Sequence, residues 1–208
     1  MNQLKFIFRK LLRNKSYTLI NLSGLAIAFT AALLIFKHIS REWESDRFYP
    51  GTKKIYRVTH NDQNSPQWSG RTYGIIGPYA KKEIPGIENY VRCFFPQSLG
   101  IQPEGDTEIF LESACMYADL SLFDLFHFPI LTGDAHIPDV SNWAILSSRK
   151  AEQYFGTQNP IGRIIRAKYT YREDSGKEFQ IIAVMDNLPP TSSIQADIIL
   201  SPVHEKDI

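Results

Sequence analysis

The sequence predicts an α+β protein: one N-terminal membrane helix followed by a mixed α/β domain. Three observations carry this. Residues 17–36, YTLINLSGLAIAFTAALLIF, hold no charge over 20 residues. The charges of the chain are split about that stretch. The rest of the 208 residues alternates short strand-like runs with short helical ones, without the regular spacing of βαβ units.

The apolar stretch comes first. At about 1.5 Å of rise per helical residue it covers about 30 Å, the thickness of a bilayer's hydrocarbon core, and the membrane helix is placed at 17–39. Residues 1–16 carry Lys5, Arg9, Lys10, Arg13 and Lys15 and no acid, while the remaining 18 basic residues are outnumbered by 22 acidic ones, a net of −4. Basic flanks stay in the cytoplasm, so the N-terminus is expected inside and residues after about Lys37 outside. A cleaved signal peptide is the competing reading. The apolar run exceeds the usual 7–15 residues of such peptides, and Lys37-His38-Ile39-Ser40-Arg41 is no small-residue cleavage site.

Ahead of the span, Leu4, Ile7, Phe8, Leu11 and Leu12 recur at helical spacing, with Lys5, Arg9, Lys10 and Arg13 mostly off that stripe. Residues 1–16 therefore read as a basic amphipathic helix suited to anionic lipid at the inner leaflet or to a cytoplasmic partner, and equally as a bare topology signal. Within the span, Gly24, Ala28 and Ala32 form a small-xxx-small ladder, a face that lets a second helix approach closely.

The domain after the span, residues 44–208, is long enough for one sizeable core or two small ones. Lys54–Thr59 alternates as a strand, and 61–70 is a polar loop. Pro78–Glu83 is a short helix stopped by Pro85-Gly86. Tyr90–Phe95 and Glu108–Met116 read as strands that pair. Leu120–Phe126 is a helical turn closed by Pro129 and Gly133. Ser147 or Ser148 N-caps a helix to Phe155, with Gly156 just past its end. Ile161–Tyr171 and Glu178–Met185 form a hairpin across 173–176. Cys93 and Cys115 fall on the two strands expected to pair. On the oxidising side of a membrane they are a candidate disulfide, or two free thiols, and geometry decides between them.

The sequence carries neither of two common motifs for nucleotide binding and nucleophilic catalysis. There is no G-x-x-x-x-G-K-[ST] phosphate loop and no G-x-S-x-G elbow. His38, His60, His127, His136 and His204 lack the spacing of zinc sites, and His127 between two phenylalanines reads as a partly buried imidazole. Acidic pairs such as Asp62 with Glu104 or Asp119 with Asp124 default to solvated surface. Phe123, Phe126, Phe128, Tyr154 and Phe155 default to core. Basic residues interspersed with acids argue against nucleic acid. No catalytic residue, cofactor or metal is implied.

The order of short motifs resembles a known family. The opening LRNKSYTLINLSGLAIAFTAALLI is similar to the first helix of MacB-like and FtsX-like ABC transporter permeases, especially of the Bacteroidetes type. Residues 46–50 (DRFYP), 55–58 (IYRV), 121–126 (SLFDLF), 128–134 (FPILTGD), 146–151 (LSSRKA), 154–156 (YFG), 159–162 (NPIG) and 184–190 (VMDNLPP) resemble the MacB-like periplasmic core domain in order and spacing. The resemblance implies an inner-membrane permease that relays motion from a separate cytoplasmic ATPase subunit to a periplasmic domain. It also implies a second permease copy and periplasmic or outer-membrane proteins as partners. Such a core domain combines Porter-like and Sabre-like subdomains, the first shared here by 44–90 and the end of the chain. The family pattern continues beyond residue 208, so the chain reads as an N-terminal part of a permease or a truncated product. A single-pass periplasmic sensor or ligand-binding module is the alternative.

Overall fold

The computed structural model describes residues 13–46, 49, 54–61, 68–136, 141–169 and 176–202. The chain divides between Ser45 and Asp46 into two units. The first is built on α1 (Lys15–Glu44), 30 residues of continuous helix. It outruns the predicted 17–39 by two residues at the start and five at the end. Neither Gly nor Pro interrupts Lys37–Glu44, whose Lys, Arg and Glu residues favour helix. At about 1.5 Å per residue α1 is about 45 Å long, against about 30 Å for a bilayer's hydrocarbon core. Polar groups inside the span are satisfied by their own helix: Ser23 Oγ donates to the Ile20 carbonyl at 2.9 Å and Thr30 Oγ1 to that of Ala26 at 2.8 Å. The predicted amphipathic helix, apart from its last residues, lies outside the described residues.

The second unit, from Asp46 on, is organised by a mixed sheet. In chain order its elements are β1 (His60–Asn61), β2 (Trp68–Ser69), α2 (Ile76–Glu83), β3 (Cys93–Phe94), β4 (Leu99–Pro103), β5 (Phe110–Glu112) and β6 (Cys115–Ala118). Then follow α3 (Ser121–Phe126), β7 (Ile130–Gly133), β8 (Trp143–Ser147), α4 (Ser148–Phe155), β9 (Ile164–Tyr169), β10 (Lys177–Met185) and β11 (Ile198–Leu200). Among the described residues, strands β1 and β2 pair only with each other. Among the described residues the main sheet has nine strands in the order β3-β6-β11-β8-β10-β9-β4-β5, with β7 beside β10. Two pairs are parallel, β8 with β10 and β6 with β11; the others are antiparallel. This is the α+β class expected.

Connectivity shows that the sheet is rolled. Strands β5 and β6 stand near opposite ends of the strand order, yet only Ser113 and Ala114 separate them in sequence. Three Cα–Cα steps span at most about 11 Å, so the end of β5 meets the start of β6 and the sheet curls around one face. Inside lie Leu99, Ile101, Tyr117, Leu146, Ile165, Phe179, Ile181 and Ile198, with Phe155 of α4 packed among them. The outer face buries Met116, Trp143, Ile145, Met185 and Ile199 beneath Leu122 and Phe123 of α3, Phe128 and Tyr49.

The central strands are therefore buried on both sides, which is why β8 reads WAILS and β11 IIL, continuous apolar runs with no alternation. In register, Ile198 faces Leu146 and both point inward, while Ile199 faces Ile145 and both point outward. Strand β10 needs a correction to stay in phase. A bulge at Ile182 against β8 lets Ile181 and Val184 both enter the inner cluster, three residues apart. Gly133 makes room beside it: its φ is +86°, and a Cβ there would meet the Ile182 carbonyl oxygen at 2.2 Å.

Several sequence expectations hold. Ser147 is the N-cap of α4, accepting from the Lys150 N–H at 3.3 Å, and Gly156 follows its end with φ +59°. The β9–β10 hairpin forms, although 170–175 lie outside the described residues. Phe123, Phe128 and Phe155 are core, with Phe126 and Tyr154 partly buried against it.

Others are corrected. Lys54–Thr59 is not a strand; the ladder starts only at β1, and Tyr56 is 84% exposed. Alternation supplies an apolar side but no neighbour to pair with. Within Tyr90–Phe95 only Cys93-Phe94 is strand. Glu108–Met116 splits into β5 and β6, because the chain passes there from one end of the rolled sheet to the other. His127 is exposed, and its positive φ of 49° ends α3. The candidate disulfide does not form. Strand β3 does pair with β6, but Cys93 faces Ala118, three residues out of step with Cys115. Both thiols are free, Cys93 exposed and Cys115 buried with its Sγ 3.9 Å from the Glu112 carbonyl oxygen.

Candidate functional site

Polar groups join distant residues at several places in the described chain, and two of these are built from more than one buried or half-buried group. The first place is where the chain enters its second unit. Asp46 has φ 58°, a conformation that Asp tolerates better than most residues. Its backbone N–H donates to the Thr191 carbonyl at 3.3 Å, and its Oδ1 accepts from the Ser193 N–H at 2.8 Å. Tyr49 is 4% exposed, its ring 5.3 Å from that of Phe126 and 5.4 Å from that of Phe128. Its hydroxyl lies 2.8 Å from Ser192 Oγ. Ser192 Oγ gives its proton to the Ile194 carbonyl at 2.8 Å, so Tyr49 is the donor of the pair. Burial holds the Tyr49 hydroxyl above its ordinary pKa, against the opposing pull of the Ser192 bond.

The second place is the seam of the rolled sheet. Glu112, at the end of β5, is 8% exposed. Its Oε1 accepts from Lys150 Nζ at 2.5 Å and from the Tyr154 hydroxyl at 2.8 Å, both on α4. Residues four apart lie on one helix face, so Lys150 and Tyr154 reach Glu112 together. Burial, then Glu112, raises the Tyr154 pKa well above its ordinary value. Beside the seam, Arg149 donates to Asp197 at 2.6 Å. At the opposite end of the strand order, Arg92 makes a two-pronged ion pair with Asp119 at 2.9 and 2.8 Å. Each set pairs a carboxylate with one or more donors from a distant part of the chain, which is the chemistry of a fastening. Among the described residues no buried side-chain N or O lacks a partner, and no group of three or more His, Cys, Asp or Glu is placed to hold a metal ion.

The predicted site residues are placed unevenly. Lys5, Arg9 and Lys10 lie outside the described residues, and Arg13 is exposed. Gly24, Ala28 and Ala32 are exposed on α1, and a Cβ on Gly24 would meet nothing within 4 Å. Cys93 and Cys115 are apart. Sequence reasoning missed Ser192, Ser193, Glu112 and Lys150 as partners. Contacts made across 147 residues in the case of Asp46 with Ser193 leave no periodic trace. Only the sparing use of buried Glu and Lys could have drawn attention to the seam, and it needs burial to be known first.

Comparison with known proteins places the chain. A family model, the MacB-like periplasmic core domain, matches residues 18–206. The chain belongs to this family. A solved domain described as that of a permease protein from Porphyromonas gingivalis superposes on it with a TM-score of 0.50 at 22% identity, covering 62% of this chain and 56% of that one. The periplasmic region of MacB from Actinobacillus actinomycetemcomitans gives 0.44 at 15% identity, covering 64% and 56%. The extracellular domain of a noncanonic ABC-type transporter, YknZ, from Gram-positive bacteria gives 0.43 at 15%, covering 59% and 59%. The first supports the fold. This MacB-like chain spans a little over half the length of these structures. No curated protein matches it.

Proposed function

We propose that this chain is the first membrane helix and core domain of an ABC transporter permease in a bacterial inner membrane. Residues 1–16 lie on the cytoplasmic side, 17–39 cross the membrane, and 44–208 form the periplasmic domain. The observation that supports this most is that the family match begins at residue 18, inside α1, and runs to residue 206. Helix and domain are thus matched as one piece, which a soluble domain behind an unrelated anchor would not be.

In this reading the protein performs no bond chemistry of its own. ATP is hydrolysed on a separate cytoplasmic subunit, a second permease copy packs in the membrane, and displacement of α1 is delivered to the periplasmic domain. Lys5, Arg9, Lys10 and Arg13 meet anionic lipid or the ATPase. Gly24, Ala28 and Ala32 face another membrane helix. The polar fastenings suit a body that moves as a piece and touches proteins outside the membrane.

Topology is the direct test. In a Cys93→Ser background, Glu152→Cys should react with a membrane-impermeant maleimide in intact spheroplasts, and Arg13→Cys only after permeabilisation. The native protein reconstituted with the ABC ATPase that co-purifies with it should stimulate that enzyme's turnover in proteoliposomes. Labelling of residue 152 from the cytoplasmic side alone, or turnover indifferent to the permease, would overturn the proposal.

A further inference from the structure

We propose that Asp46 and Tyr49 form a clasp with residues 191–194, and that this clasp is where displacement of α1 enters the sheet. The inference rests on the relay reading above and names the residues that perform it. Asp46 stands two residues past Glu44, the last residue of α1. A domain that needed only an anchor would be served by a flexible linker, which passes on little displacement. Here the chain is fastened almost at once. The Asp46 N–H and carboxylate hold Thr191 and Ser193, and three residues later the Tyr49 hydroxyl holds Ser192.

The receiving loop is itself stiff. Pro189 and Pro190 fix their own φ angles. The Ser192 N–H donates to the Pro189 carbonyl at 2.9 Å, and the Gln195 side-chain amide donates to the carbonyls of Pro189 at 3.0 Å and Ser192 at 2.7 Å. Ser192 Oγ accepts from the Tyr49 O–H and from the Ile194 N–H at 3.1 Å and donates to the Ile194 carbonyl, so none of its hydrogen-bonding capacity is slack.

The loop runs directly into the sheet. Four residues after Ile194 the chain becomes β11, which lies between β6 and β8 with Ile198, Ile199 and Leu200 buried. A load on Asp46 therefore reaches an inner strand of the sheet through a handful of residues. Tyr49 adds a parallel route by packing on Phe126 and Phe128 beside α3. Asp46 and Tyr49 are positioning residues in this scheme, and their loss uncouples the domain without unfolding it.

The test uses the native permease with its ATPase in lipid nanodiscs, in a Cys93→Ser background. Spin labels are attached pairwise across the two permease copies, at Tyr17→Cys, exposed on α1, to follow the helix and at Glu152→Cys to follow the domain. Both distance distributions should shift on ATP binding. Asp46→Ala and Tyr49→Phe should leave the helix shift intact and reduce the domain shift at least twofold. Asp46→Asn, which keeps an acceptor oxygen and tolerates the same backbone, should restore it. The domain's thermal midpoint in Asp46→Ala and Asp46→Asn should agree, which separates uncoupling from unfolding. An undiminished domain shift in both Asp46→Ala and Tyr49→Phe overturns the clasp while leaving the relay standing. If neither position responds to ATP in the unaltered protein, the relay itself is wrong and the clasp falls with it.

Discussion

The described part of residues 54–84 and the rolled sheet of residues 99–202 draw on similar amino acids and reach opposite ends. In the first, Ile55, Tyr56 and Val58 sit in a β-like pattern, yet the ladder is limited to the two-residue pair β1–β2, and α2 has no buried residue. Tyr73 and Ile75 are 73% and 72% exposed. In the second, β8, β10 and β11 are covered on both faces, and Ile145, Leu146, Ile198 and Ile199 are wholly buried. Side-chain type does not separate the two regions. The supply of neighbours does: a strand is stabilised by cross-strand pairs and by a layer on its face, and only the second region has both.

The largest effect is expected from stranding a charge inside the better-covered region. Lys150→Met removes the cation from Glu112, leaving a carboxylate with most of its surface out of water. Truncating one member of a buried pair costs about 3–5 kcal/mol, and the companion Glu112→Leu should recover most of that. Denaturant unfolding followed by the fluorescence of buried Trp143 reads both. A single substitution that costs less than about 1 kcal/mol would mean that the seam is solvated, and the rolled sheet looser than its connectivity implies.

Next comes the core itself. Ile145→Ala empties a site between Met116, Ile199 and the α3 layer and should cost about 2–5 kcal/mol. How much of this was legible beforehand differs by element. Helix α4 was readable to within one residue at its start, Ser147 or Ser148 as the cap, and to Phe155 at its end, because an N-cap serine and a terminal glycine are local signals. The β9–β10 hairpin was readable because its turn residues and flanking runs are adjacent in sequence. Strands β8 and β11 were not read at all: WAILS and IIL are too short and too uniformly apolar to show a period. The split of Glu108–Met116 was invisible too, since Phe110–Glu112 and Cys115–Ala118 differ only in which distant strands they join. The polar fastenings fared worst. Asp46, Tyr49, Glu112 and Lys150 look like ordinary surface or motif residues until the fold brings Ser192, Ser193 and Tyr154 to them.

Alkaline pH offers a smaller, graded probe of the same core. Burial pushes the Cys115 thiol up from 9.0 to about 12, with Glu112 adding to the rise. The neutral form is thus the one the fold prefers. Below about pH 9 both folded and unfolded chains hold the proton, and the stabilisation is complete. Between 9 and 12 the unfolded chain releases it first, so stability falls with rising pH by about 1.4 kcal/mol per unit from this group. Many groups titrate in that window, so the informative quantity is the difference between two profiles. Cys115→Ala should flatten the slope between pH 9 and 11. Superimposable slopes would show that water reaches the thiol.

The smallest effect belongs to the sparsely covered region, and α2 lets it be measured against an internal control. Gly77 lies on the side of α2 that meets the domain, where an added Cβ would come within 2.6 Å of Tyr90 Cδ2. Gly77→Ala therefore forces that ring aside and should cost about 1–3 kcal/mol, in spite of alanine's better helix propensity. Tyr79, two positions on, is 64% exposed. Tyr79→Ala removes a large aromatic side chain from the same helix and should move the unfolding midpoint by less than the equivalent of about 0.5 kcal/mol. The two substitutions share a helix, so propensity and fraying cannot explain a gap between them; only the presence of a neighbour can. A Tyr79→Ala cost as large as that of Gly77→Ala would show that the outer side of α2 is covered in the working protein. The contrast between the two regions would then be one of partners, not of packing.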